Sequence, residues 1–217
     1  MSQHSPSTQW PLMQSPLIIQ ALPSTHGVQS GPPQSLSVSP GSFFVLEQCA
    51  GRPPVETDPH RPADLVDLST LDPTLRLDIR YAGSDNFMGL PLYERPAAYL
   101  QRPAALALAR AAQALKAKGY GLLVHDAYRP WFVTWMFWEA TPPEDHMFVA
   151  DPAQGSRHNR GCAVDLTLYD LKTGKPVEMP SRYDEMSGRS YADFIGGTTR
   201  QRAMRATLRE AMVAQGF

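Results

Sequence analysis

Hydrophobic and polar positions follow regular patterns along the chain from about residue 75 to its end. Alternating apolar and polar residues over 75–81 predict a half-buried strand, and the apolar run 121–124 predicts a buried one. Apolar residues at helical spacing predict helices over 103–118, 131–138 and 199–215. This order of elements predicts an α+β fold, with a small, mostly antiparallel sheet flanked by helices.

The first 60 residues lack such a pattern. Residues 1–46 contain no Asp, Glu, Lys or Arg, and ten of the 21 prolines fall within residues 1–60. We therefore expect residues 1–60 to form a disordered extension rich in Ser, Pro and Gln, and residues 61–217 to form the folded domain. The apolar stretch 17–22 is too short to span a membrane, and no positively charged region precedes it as in a secretory signal.

The length, net charge and cysteine content of the chain reduce the number of protein classes to which it can belong. The chain has 217 residues, 42% of them hydrophobic, and a formal net charge of −1, which is typical of a soluble protein with one domain. Without a basic excess, nucleic acid is not an expected partner. The two cysteines, Cys49 and Cys162, have no CxxC spacing, so we predict neither a disulfide framework nor a zinc–cysteine site.

Candidate chemistry is concentrated in residues 156–168. Alternation places Val164, Leu166 and Leu168 on the core face of a strand and directs Asp165 to the opposite face. His158 lies seven residues before Asp165, so the chain must turn at 159–161 for the two side chains to meet. Imidazole and carboxylate are ligands that zinc accepts. The alternative is structural: the histidine ends a turn and the aspartate binds a loop amide.

A wider pattern favours the metal. Residues 156–165 read Ser-x-His-x-x-Gly-x-Ala-x-Asp, 126–130 read Asp-x-Tyr-Arg-Pro, and 78–82 read Asp-Ile-Arg-Tyr-Ala. In these three motifs the chain resembles the D-alanyl-D-alanine dipeptidase family, zinc peptidases within the wider group of D,D-peptidases. The resemblance implies one Zn²⁺ per chain on a face of the sheet, with His158 and Asp165 as ligands.

The resemblance also implies roles for three other residues. Arg129 matches the arginine that stabilises the anionic transition state, a task suited to a permanently charged guanidinium with fork-shaped donors. Ser156 matches a serine that binds the substrate backbone. Asp184 matches the aspartate that receives the free amino group of the substrate. His125 and His146 match no metal position of the family, so we assign them no ligand role.

The family also has a segment of the type Glu-x-x-Trp-His after its last helix, which carries the general base and a third zinc ligand. The chain ends at Phe217, before such a segment, so we expect a domain truncated at its C-terminus that binds zinc weakly. The implied reaction is zinc-dependent hydrolysis of the dipeptide D-alanyl-D-alanine.

Two other functions stay open: a D,D-carboxypeptidase that acts on cell-wall peptides, and a truncated, inactive paralogue. We expect a small dipeptide as partner and the cytoplasm as location, with the periplasm as the alternative; the oligomeric state is not predicted.

Overall fold

The computed structural model describes residues 18–20, 52–55, 57 and 59–217. The strands in this part of the chain are β1 (Ile18–Gln20), β2 (Leu65–Asp67), β3 (Leu75–Leu77), β4 (Tyr99–Gln101), β5 (Tyr120–Asp126) and β6 (Ala163–Asp170). The α-helices are α1 (Arg102–Lys116), α2 (Trp131–Ala140) and α3 (Thr199–Val213).

The main sheet has the strand order β1-β6-β5-β3. Strand β6 pairs antiparallel with both β1 and β5, whereas β3 and β5 run parallel. A second, two-stranded sheet joins β2 and β4 in antiparallel register. The predicted α+β class, with a small and mostly antiparallel sheet, is therefore confirmed.

Strand β6 is buried on both faces. Its apolar residues Val164, Leu166 and Leu168 lie in the main hydrophobic core, as the alternation predicted. On the other face Asp165 and Thr167 are also buried, because loops cover that side of the sheet. A carboxylate and a hydroxyl in such a position need partners, and this requirement makes the covered face the place to search for a site.

Two hydrophobic clusters hold the sheet and helices together. In the larger cluster, the buried alanines and leucines on one face of α1 pack against the sheet, and α3 contributes Leu208 and Met212. Helix α1 has a proline in its first turn, and α3 begins with a capping box formed by Thr198 and Gln201. The smaller cluster is aromatic, is centred on Tyr81 and Phe137, and lies beside the covered face of β6.

Most of the predicted N-terminal extension lies outside the described residues. Within it, Ile18–Gln20 form β1, which pairs with residues 163–165 of β6. Among the helices that the structure describes, none combines the length and the apolar character needed to cross a membrane.

Candidate active site

The turn before β6 carries His158 and is shaped by its own side chains. The Ser156 hydroxyl accepts the His158 N–H at 3.2 Å, and the Asn159 side chain accepts the Ser156 N–H at 2.7 Å. Gly161 has a φ of 65°, and a Cβ there would lie 2.7 Å from a methyl carbon of Leu65. Only glycine suits this point, and the predicted turn between His158 and Asp165 is present.

This turn is bonded directly to the loop between β5 and α2. The Arg129 N–H donates to the His158 carbonyl at 3.1 Å. In return, the Asn159 amide donates to the Arg129 carbonyl at 2.9 Å and to the Thr134 hydroxyl at 2.9 Å. The backbones that carry the histidine and the arginine are thereby held against each other.

His158 and Asp165 present two buried atoms without hydrogen-bond partners among the described residues, called the orphan pair below. Nδ1 of His158 lies 2.7 Å from the Ala127 carbonyl oxygen, which can only accept, so Nδ1 carries the proton and Nε2 keeps its lone pair. Nε2 faces Oδ1 of Asp165 at 3.2 Å, and neither atom makes a hydrogen bond within the described residues. Two facing lone pairs repel each other unless a cation lies between them.

The separation of these atoms fits a metal ion. With bonds of about 2.0–2.1 Å, two ligands of a tetrahedral ion lie about 3.3 Å apart. Although burial alone would raise it, the pKa of the Asp165 carboxyl is lowered by His158 and Arg129. Asp165 is thus available as an anionic ligand. A proton on Nε2 could also join the two atoms, so protons and metal compete for the position.

Asp126 lies close to His158 and Asp165, but its carboxylate is hydrogen-bonded to other groups, among them Arg129. The three carboxylate and imidazole groups of Asp126, His158 and Asp165 place ligand atoms within 4.8 Å of one another. The oxygens of Asp126, however, accept from the Tyr93 hydroxyl, the Ala127 N–H and the Arg129 guanidinium. It also faces Nδ1 of His158, at 3.8 Å, and not the free Nε2. Within the described residues, the two ligand atoms left free are therefore Nε2 of His158 and Oδ1 of Asp165, whereas the oxygens of Asp126 are engaged by hydrogen bonds.

A break in strand register brings Asp126 to this place. The β5–β6 pairing shifts between Val124 and Asp126, so that Asp126 pairs with Asp165. The carboxyl of Asp126 is buried, which raises its pKa, yet it accepts from several donors that only the ionised form can satisfy in full. The register shift therefore places the Asp126 carboxylate next to the Asp165 carboxylate, and Arg129 contacts both.

Arg129 is fixed by both carboxylates. Its Nε donates to Asp126 at 2.8 Å, and its Nη2 lies 2.8 Å from Asp126 and 3.3 Å from Asp165. The guanidinium also lies 4.7 Å from the ring centre of Phe137 and 5.4 Å from that of Tyr81. Burial alone would lower the pKa of Arg129, but the neighbouring Asp126 and the other acidic groups raise it well above its ordinary value. The side chain is a permanent cation with one orientation.

Asp184 lies on a loop at the other side of the site. Its backbone has a φ of 56°, in the left-handed region that Asp and Asn tolerate better than most residues. The carboxyl accepts from the Tyr81 hydroxyl at 2.9 Å and from the Phe87 N–H at 3.2 Å. Burial raises its pKa to about 7 despite these bonds. The group therefore changes charge near neutral pH.

A cleft of about 510 Å³ opens next to this loop. Its lining includes Thr167, Tyr183 and Asp184. Tyr183 connects the cleft with the orphan pair, since its hydroxyl donates to Oδ2 of Asp165 at 3.3 Å. The Thr167 hydroxyl is buried and has no hydrogen-bond partner within the described residues. A small polar molecule in the cleft would thus lie close to the Asp184 carboxyl and to Tyr183, whose hydroxyl bonds Asp165.

Of the five site residues predicted from the sequence, four have side chains that are connected to one another in the structure. His158, Asp165 and Arg129 meet directly, and Asp184 reaches them through Tyr183 and Tyr81. Ser156 is buried, and its hydroxyl accepts a backbone N–H within the turn.

The two histidines without an assigned role lie outside the orphan pair. Nδ1 of His125 lies 3.3 Å from the Asp78 carboxylate. His146 stacks on Trp138 with ring centres 3.7 Å apart, and its Nε2 lies 2.9 Å from the Thr141 carbonyl oxygen.

Sequence reasoning missed Asp126, Asn159 and Tyr81 as parts of the site. Asp126 and Tyr81 stood in the motifs already quoted, Asp-x-Tyr-Arg-Pro and Asp-Ile-Arg-Tyr-Ala. An acidic residue at the end of a buried strand was a usable signal for Asp126. No local pattern pointed to Asn159, because its partners are about 25 to 30 positions away.

An α+β domain with a buried His–Asp pair suited to a metal, and a fixed arginine next to it, has the parts of a metallopeptidase. Comparison with known proteins places the chain in that class. A family model described as D-ala-D-ala dipeptidase matches residues 61–217. The chain belongs to this family of peptidases.

Individual relatives give the same result. A D-alanyl-D-alanine dipeptidase of Escherichia coli K12 is 36% identical over 154 residues, which cover 71% of this chain and 78% of that protein. One from Enterococcus faecalis V583 is 36% identical over 165 residues, 66% of this chain and 80% of its own length. One from Streptomyces coelicolor is 34% identical with the same coverage.

Proposed function

We propose that this protein hydrolyses D-alanyl-D-alanine with the help of one zinc ion. The observation that carries the proposal is the pair of buried atoms Nε2 of His158 and Oδ1 of Asp165, which lie 3.2 Å apart and have no hydrogen-bond partner among the described residues. Nitrogen and oxygen ligands at this spacing suit zinc. The similarity to dipeptidases supports the choice of substrate.

The residues around the pair supply binding and charge stabilisation. Zinc held by His158 and Asp165 would act as a Lewis acid toward the peptide carbonyl and its attacking water. Arg129, held in place by Asp126, would donate to the oxygen on which negative charge develops. Its orientation is set before substrate arrives, which removes a reorganisation cost from the reaction.

Asp184 would bind the free ammonium group of the dipeptide. Only the ionised carboxylate attracts this group, and the ammonium in turn favours ionisation by lowering the pKa. Ser156 would contact the substrate backbone, since a hydroxyl that accepts one N–H can still donate its own proton. A dipeptide is selected when both of its ends are read at once.

The structural boundary and the compartment remain predictions. We propose that the dipeptidase domain spans residues 61–217, and the family match begins at residue 61. The cytoplasm is the proposed location, with the periplasm as the alternative.

The test is hydrolysis by the purified chain after metal removal and titration with Zn²⁺. D-alanyl-D-alanine is compared with a peptide that ends in D-alanyl-D-alanine but has a blocked amino group. We expect zinc-dependent release of D-alanine from the free dipeptide only, with weak Zn²⁺ binding and a low rate, because His158 and Asp165 supply two ligands where a catalytic zinc site normally has three. Cleavage of the blocked peptide at an equal rate would instead indicate a D,D-carboxypeptidase. Tight zinc binding without hydrolysis of either would indicate a binding protein.

A further inference from the structure

Tyr183 bridges the cleft and the metal position. Its hydroxyl donates to Oδ2 of Asp165 at 3.3 Å. Its ring is packed between two others, with centres 5.0 Å from His125 and 5.9 Å from Tyr81. The hydroxyl is thus aimed at the carboxylate by a ring that has little freedom to move.

The two oxygens of Asp165 have different surroundings. Oδ2 accepts from the Tyr183 hydroxyl and from Nη2 of Arg129, whereas Oδ1 faces His158 and accepts no hydrogen bond from the part of the chain that the structure describes. A carboxylate can bind a metal through one oxygen or both, and donors on one oxygen decide which lone pairs stay available. The observed bonds leave Oδ1 for the metal.

The contact with Arg129 alone orients the Asp165 carboxylate only weakly. Its Nη2 lies 2.8 Å from Asp126 but 3.3 Å from Asp165, so the guanidinium is drawn mainly to the other acid. The only interaction between the Tyr183 hydroxyl and a carboxylate in the described residues is the one with Asp165. Among these two donors, Tyr183 is therefore the one that bonds Asp165 and not Asp126.

We propose that Tyr183 is a positioning residue that fixes Asp165 as a one-oxygen metal ligand. This inference rests on the metal part of the proposed function and not on the identity of the substrate. It also links two tasks, because the next residue in the chain is Asp184. The loop that presents a carboxylate to the cleft is anchored through Tyr183 to the ligand itself.

The test compares two Tyr→Phe variants of the full chain. Tyr183→Phe keeps the ring and removes the hydroxyl. Tyr169→Phe is the matched control, because the Tyr169 hydroxyl also donates one hydrogen bond within the domain, but to the Thr74 carbonyl, outside the site. Zn²⁺ affinity is measured by competition with a chromogenic chelator, and the melting temperature of each metal-free protein is recorded.

We expect Tyr183→Phe to weaken Zn²⁺ binding by about tenfold, at the lower end of the range for partners of metal ligands, because a 3.3 Å bond is long. Tyr169→Phe should bind Zn²⁺ like the wild type. At saturating Zn²⁺ the Tyr183→Phe protein should recover most of its activity.

Three results would overturn the inference: unchanged Zn²⁺ affinity in Tyr183→Phe, an equal loss in Tyr169→Phe, or no Zn²⁺ uptake by the wild type. A wild type that binds Zn²⁺ but leaves D-alanyl-D-alanine intact would refute the proposed substrate alone. In that case the affinity comparison still decides the role of Tyr183.

Discussion

Asp126 accepts the Nε–H of Arg129 at 2.8 Å and holds this arginine beside Asp165, the proposed metal ligand. Replacing Asp126 by Asn should therefore lower kcat without releasing the metal. Loss of a buried hydrogen bond between charged groups costs about 1.5–3 kcal/mol, or roughly 10- to 100-fold in rate. Steady-state kinetics and chelator competition on the same preparation check this. A collapse of Zn²⁺ affinity would show instead that Asp126 is a ligand.

Arg129→Lys is expected to reduce kcat far more than it raises KM. Lysine keeps the positive charge but loses the planar set of donors that Asp126 now orients. A loss of about 100-fold in kcat is typical when one donor to a developing oxyanion is removed. The two constants for D-alanyl-D-alanine measure this directly. An unchanged kcat with a raised KM would move Arg129 from catalysis to substrate binding.

Substrate binding should weaken as the pH falls below about 7, the pKa of Asp184. The protonated carboxyl does not attract an ammonium group, so KM should rise by about tenfold per pH unit well below that value. Asp184→Asn should raise KM and remove this dependence, while Asn still tolerates the backbone φ of 56°. A KM profile from pH 5 to 8 for both proteins is the measurement. Parallel profiles would show that another group titrates.

The raised pKa of Asp184 also makes the stability of the folded protein depend on pH. The folded-state pKa of Asp184 lies above its ordinary value of 3.8, so the folded protein holds the proton more tightly than the unfolded chain. The contribution to stability is complete below pH 4 and is lost as the pH rises through about 7. Compared with Asp184→Asn, the wild type should therefore lose melting temperature over this interval.

Zn²⁺ should stabilise the wild type but not Asp165→Asn. An ion that binds only the folded state adds about 2.7 kcal/mol at 100 times its Kd. In the variant, the amide can turn its nitrogen toward Nε2 of His158 and satisfy the orphan atom without metal. Thermal melts with and without Zn²⁺ check the difference. An equal shift in both proteins would place the bound ion elsewhere.

The sequence was informative where a pattern is local. Alternation in β6 predicted both the core residues and the direction of Asp165, and the glycine at 161 marked the turn that the spacing of His158 required. The predicted strand over 75–81 was too long: β3 ends at Leu77, and a 3₁₀ helix over Arg80–Ala82 follows. Burial still alternates over this stretch, because Ile79, just before the helix, and Tyr81, within it, both pack inward.

Contacts between residues that lie far apart in the sequence could not be predicted from the local pattern of residues. The register shift that sets Asp126 opposite Asp165 depends on how two strands meet. The bond from Tyr81 to Asp184 joins residues 103 positions apart. Local propensity carries no information on such contacts, and only the resemblance to a family indicated which motifs act together.

The distance along the chain between the parts of the site bears on how the protein folds. The contacts of His158 with Ala127 and of Arg129 with Asp165 span 31 and 36 positions, and the Asp184 loop closes a much longer segment. Forming such contacts costs loop entropy that is offset only after β5 and β6 have paired. The two proposed ligands lie only seven positions apart, but the contacts that orient them, with Ala127 and Arg129, form only in the folded domain. We therefore expect tight metal capture to be a late event in folding, with zinc uptake among the last signals to return when the denatured protein is allowed to refold.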